Sequence, residues 1–185
     1  MTEKEIWLKI VEEAKSLSGD QSLSDSYLDE YVTNFDKLSD SIGFKIASDL
    51  GQDVSSKAFS NKFLFSELKK VYENVNILDG LVLDLLAVKQ RDPASTGYLS
   101  TLLFSKGFLA LQTHRASHYF FKKGETLLAN FLHSQASKIY SVDIHPAATI
   151  GVGVMLDHAT GIVIGETSVI AVSYTHLTLP TIAGV

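Results

Sequence analysis

The chain has 185 residues, 45% of them apolar and 20% charged, which places it among globular chains and excludes a disordered one. A formal net charge of −5 argues against nucleic acid or an anionic membrane as its partner, since both favour a basic surface. There is no cysteine, which excludes a disulfide framework, a cysteine nucleophile and a thiolate metal site.

The first segment, MTEKEIWLKIVEEAKSL, is acidic and amphipathic. It lacks the basic start and apolar stretch of a secretory signal and reads as the first helix of a cytoplasmic protein. Thr2 and Glu5 have the spacing of a capping box, and Ile6, Leu8, Ile10, Val11 and Ala14 follow at roughly helical intervals. Further apolar helical faces are expected at Tyr27–Val32, Phe35–Leu50, Phe63–Val71 and Ile77–Val88, with the joints SLSGDQSLSD and SDLGQDVSS between them. Pro93 and Gly97 interrupt the pattern, a long apolar segment runs from Tyr98 to Phe121, and a last helix is expected over Glu125–Tyr140. No apolar run reaches the roughly 18–20 residues of a membrane-spanning helix.

The rhythm changes at Val142. Aliphatic residues fall every six positions at Ile144, Ile150, Leu156 and Ile162, and a small residue follows each by three, at Ala147, Gly153, Ala159 and Gly165. Neither the helical period nor the strand period produces that double register. It suits a triangular coil of three short strands, one aliphatic per side pointing inward and a small residue at each corner. The expected fold class is therefore α+β: an all-helical N-terminal domain over 1–140, then the first coils of a left-handed parallel β-helix over 141–171. After Ala171 the hexads dissolve into VSYTHLTLPTIAGV, and 172–185 is expected to be a non-native tail.

Three segments together resemble the serine O-acetyltransferase family: RDPA at Arg91–Ala94, VDIHPAA at Val142–Ala148 and MLDHATGIVIGET at Met155–Thr167. The stretch LLFSKGFLALQTHRASH, Leu102–His118, is similar as well. The hexads alone would indicate only the wider superfamily of left-handed β-helix acyltransferases. The resemblance implies transfer of an acetyl group from acetyl-CoA, as co-substrate, to the hydroxyl of L-serine, giving O-acetylserine for cysteine biosynthesis. It also implies homotrimers or dimers of trimers, and docking of a C-terminal tail into O-acetylserine sulfhydrylase. Family members carry further coils, the edge on which acetyl-CoA lies, and that tail. The resemblance ends near Ala171, and the remainder resembles translated read-through of a transposon sequencing adaptor. The chain is thus expected to be an incomplete, inactive part of its parent enzyme, with its acetyl-CoA-binding residues unassigned.

A serine hydroxyl attacking a thioester needs a general base, and histidine is the usual one. His158 lies between acidic and small residues of the coil and is the best of the six histidines for this task. The resemblance assigns Asp143 as the carboxylate that orients it, in the manner of a catalytic triad whose hydroxyl comes from the substrate. It assigns Asp92 and Asp157 to the substrate's ammonium group. Read without the family, Asp92 before Pro93 would simply start a turn.

The remaining candidates have plainer readings. His114 and His118 stand one helical turn apart, acceptable for a metal pair, but no third ligand accompanies them and a packed or interface role is expected. His145 reads as a coil corner before Pro146, and His133 as a helix-surface or interface residue. Asp84 and Glu166, charges in apolar surroundings, are expected to be buried with partners. The coil glycines open no helix and form no phosphate loop. No resident cofactor or metal is expected. Two other functions fit the same features: a hexapeptide acyltransferase for another small hydroxyl or amine, and a non-catalytic oligomerisation module.

Overall fold

The computed structural model describes residues 1–17, 22–52 and 57–171. The expected non-native tail, 172–185 with His176, and parts of the two polar joints lie outside the described residues.

Helix α1 (Glu3–Leu17) opens on the expected box: Thr2 N–H donates to Glu5 Oε2 at 2.8 Å, and Glu5 N–H donates to Thr2 Oγ1 at 3.3 Å. Ile6, Ile10 and Ala14, one turn apart, are fully buried. Leu8, counted with them from spacing, is 60% exposed because two residues carry it to the opposite face. Then come α2 (Ser22–Leu28), which runs into a wider turn over Asp29–Thr33, α3 (Leu38–Gly51), a single 3₁₀ turn over Lys57–Phe59, α4 (Asn61–Tyr72) and α5 (Val75–Arg91). Asn74 and Ser60 cap α5 and α4 through side-chain oxygens.

The apolar segment from Tyr98 to Phe121 is two helices rather than one, α6 (Tyr98–Phe104) and α7 (Lys106–Lys122). Ser105 divides them: its backbone is extended and its Oγ accepts from Phe108 N–H at 3.5 Å, the behaviour of an N-cap. Helix α8 (Thr126–Tyr140) packs along α7 as α3 packs along α4, and no helix among the described residues is long and apolar enough to cross a membrane.

Beyond Tyr140 the chain forms β1 (Val142–Ile144), β2 (Thr149–Ile150), β3 (Ile162–Ile164) and β4 (Val169–Ile170). Strand β3 pairs parallel with β1, and β4 with β2. The fold class is α+β, helices followed by the start of a left-handed parallel β-helix. Val142, Ile144, Ile162 and Ile164 point into the coil and join one continuous core with the helices. Regular hexads would set Ile162 beside Ile144. Instead Ile162 pairs with Val142 and Ile164 with Ile144, so this coil is two residues longer than three hexads. An irregular corner, Asp157–Gly161, lies in the lengthened stretch: Ala159 N–H donates to Asp157 O, Thr160 N–H to His158 O, and Gly161 N–H to Ser141 O.

Candidate functional site

A cleft of about 680 Å³ opens between the α5–α6 connection, the start of α7 and the coil corner. Asp92, Asp157 and His158 line it together, although the first is separated from the others by three helices in the chain. Arg91, Lys106 and Thr160 share the lining.

Asp92 arrives there as the residue that caps the C-terminal end of α5, one past Arg91. Its N–H donates to Val88 O at 2.9 Å, and its Oδ1 accepts from Ala94 N–H at 2.8 Å, forming the short turn expected before a proline. Turn and cleft are thus the same place. The corner bearing His158 is held open by backbone geometry. His158 and Ala159 have φ of 51° and 57°, a left-handed conformation that costs non-glycine residues about 1–3 kcal/mol each. The two residues then face opposite ways: Ala159 is buried, whereas the His158 side chain is 94% exposed. His158 Nε2 lies 4.0 Å from Asp157 Oδ1.

Asp143, expected beside His158, lies elsewhere in the chain. The alternation of β1 turns Val142 and Ile144 inward and Asp143 outward, over α8. There its Oδ1 meets His133 Nε2 at 2.6 Å, and no hydrogen bond joins Asp143 to His158 among the described residues. His133 is accordingly a partly buried partner of the coil rather than a free surface residue, and its ring sits 6.0 Å from that of His145.

Sequence spacing gave little sign of the polar junction behind the cleft. Asp84 is fully buried and accepts four hydrogen bonds: from Arg115 Nε (2.7 Å) and Nη2 (3.0 Å), Gln112 Nε2 (2.9 Å) and Val154 N–H (3.0 Å). Burial pushes its carboxyl above the usual carboxylate range, while the Arg115 guanidinium and the other donors pull against that shift. Arg115 Nη2 also donates to Gly151 O at 2.8 Å, and Arg91 Nη1 donates to Gly153 O at 2.7 Å. Helices α5 and α7 thereby grip the 150–154 segment that leads into the corner. The partners come from α7 and from the 150–154 segment, both distant from Asp84 in the chain, so only its unusual charge among apolar residues hinted at them. Glu166, given the same reading from sequence, is exposed.

His114 is buried on α7, its ring 5.8 Å from that of His118. Burial, aided by His118 and Arg115, lowers its pKa from the ordinary 6.5 to about 3, so it is neutral. His118 Nδ1 is 2.8 Å from Pro146 O, a second tie between α7 and the coil.

The family model for the N-terminal part of serine acetyltransferase matches residues 6–113. A serine acetyltransferase of Buchnera aphidicola subsp. Schizaphis graminum is 39% identical over 167 residues, which cover 90% of this chain and 62% of that protein. Among solved structures, soybean serine acetyltransferase complexed with serine is similar at 35% identity with a TM-score of 0.87, over 92% of this chain and 69% of that one. Serine acetyltransferase of Brucella abortus in complex with coenzyme A is similar at 36% identity with a TM-score of 0.84, over 90% of this chain and 66% of that one. The chain thus spans less than two thirds of the Buchnera relative's length. A match over more than half of its residues, with the same fold throughout, means that the chain belongs to the serine acetyltransferase family.

Proposed function

We propose that this chain is the serine-binding and base-carrying part of a serine O-acetyltransferase. The observation that carries this reading is the meeting of Asp92, Asp157 and His158 at one cleft. Two carboxylates suit the ammonium of an amino acid, and the exposed imidazole is free to meet a hydroxyl. In the reaction, His158 takes the proton of the serine hydroxyl as its oxygen attacks the thioester carbonyl of acetyl-CoA. The tetrahedral intermediate collapses with cleavage of the C–S bond, and the imidazolium returns the proton to the departing thiolate. No acetyl-enzyme is needed, since the chain has no cysteine and its sequence carries no nucleophile-elbow motif. Asp143 orients the base, a role that requires it to leave or share His133.

The division into a helical domain over 1–140, β-helix over 141–171 and a non-native stretch from 172 belongs to the same reading. So do a cytoplasmic location, assembly into trimers or pairs of trimers, and a partnership of the whole enzyme with O-acetylserine sulfhydrylase.

Calorimetric titration of the chain with L-serine, and thiol release from acetyl-CoA by a form of the enzyme that carries the family's further coils, test the proposal. Serine should bind, and Asp92→Asn or Asp157→Asn should weaken binding by roughly tenfold or more, the loss of a charge-assisted hydrogen bond. His158→Ala should abolish most serine-dependent thiol release, and Asp143→Asn should lower it less. An unchanged rate in His158→Ala would rule out this mechanism.

A further inference from the structure

The opening turn of α7 lies directly on the corner that carries His158. A Cβ placed on Gly107 would stand 2.1 Å from the Leu156 carbonyl oxygen and 3.0 Å from the Ala159 Cβ, so only glycine fits without displacing the corner's backbone. One residue earlier, Lys106 Nζ donates to Thr160 Oγ1. These two contacts bracket His158 and Ala159, the two residues in left-handed conformation.

His158 does little to hold itself. Its side chain is 94% exposed, and its one ionic neighbour among the described residues is Asp157 at 4.0 Å. The place of its ring is therefore decided by the backbone beneath it, and that backbone rests on α7. Helix α7 is in turn fixed at this end by the Ser105 cap and along its length by the Asp84–Arg115 junction.

We propose that Lys106 and Gly107 are positioning residues, holding the Leu156–Thr160 corner so that His158 stands at the cleft. The helical part of the molecule then sets the location of a base borne by the coil. The catalytic consequence rests on the function proposed above for His158; the geometric consequence does not.

The 185-residue chain is labelled with ¹³C-histidine and read by its ring resonances, the one of His158 being assigned by its loss in His158→Gln. Gly107→Ala should move the His158 resonance by several linewidths and leave those of His114 and His118, further along α7, where they were. Gly165→Ala serves as the comparison, because a Cβ there meets nothing within 4 Å. A His158 resonance unmoved in Gly107→Ala, or moved equally in Gly165→Ala, overturns the proposal.

Where Gly107→Ala fails to fold, Lys106→Met is read instead. A displaced His158 resonance that Lys106→Arg restores supports positioning, and an unmoved one overturns it. If the wild-type chain also turns over acetyl-CoA, Gly107→Ala should lower kcat by up to roughly 10²-fold with little change in the serine KM, the expected penalty for a base misplaced by about 1 Å. A wild type that neither binds serine nor releases thiol, but whose His158 resonance moves as described, would sink the proposed function and leave the positioning role standing.

Discussion

At the scale of single residues, the buried imidazole of His114 makes the clearest physical prediction. Its folded-state pKa is about 3 against an ordinary 6.5, so the unfolded chain takes up a proton below about pH 6.5 while the folded chain refuses it. The stability contributed by neutral His114 is complete above 6.5 and falls as the pH drops toward 3. The expected slope is about 1.4 kcal/mol per pH unit, or about 2 kcal/mol lost by pH 5. Urea unfolding at a series of pH values measures it. The same series on His114→Gln should lack this component of the slope, and identical slopes in the two proteins would refute the assignment. Sequence spacing showed the His114–His118 pair and a packed or interface role for it, but not that His114 is the more deeply buried of the two, because that depends on the coil that α7 packs against.

At the scale of elements, the start of α6 is held by a residue far away in sequence. Gly97 has no side chain with which to cap the helix, and Glu13 of α1 does so instead, accepting from Tyr98 N–H at 3.2 Å and Leu99 N–H at 2.7 Å. A Cβ on Gly97 would come 2.4 Å from the Glu13 carboxylate, so glycine here makes room for the cap. Glu13→Ala should cost about 1–2 kcal/mol, the usual range for loss of a cap with its charge at a helix N-terminus. It should also loosen the Asp92–Gly97 connection that forms one wall of the cleft. Hydrogen exchange at the Tyr98 and Leu99 amides reads the local effect; unchanged protection there would show that Glu13 is dispensable. Local caps such as Thr2–Glu5 were legible from spacing, since donor and acceptor are three residues apart. The Glu13 cap was not, because α1 and α6 are far apart in the chain and meet only in the tertiary fold.

At the scale of the whole molecule, the helical part and the coil are tied together by charge as well as by apolar packing. Removing one partner of the Asp84–Arg115 pair leaves the other charged and buried, which costs about 3–5 kcal/mol. Asp84→Asn and Arg115→Met should each lower stability by that order in urea unfolding. A loss below about 1 kcal/mol in both would mean that the junction does not bind the two parts. The same junction holds the segment leading to His158, so the most conspicuous polar cluster in the interior and the candidate site are consecutive stretches of chain.

The sequence by itself determined most of the helices and the change from a helical to a six-residue rhythm. Periodicity, capping and residue type are local properties and survive in a one-dimensional reading. It did not determine the two extra residues in the coil, the division of the Tyr98–Phe121 segment at Ser105, or the company that Asp143 keeps. Only the tertiary structure decided these, and it also brought Asp92 across three helices to Asp157 and His158. The reason is physical: the His158 corner adopts a left-handed backbone that its own residues disfavour, and contacts from α7, distant in sequence, hold it there.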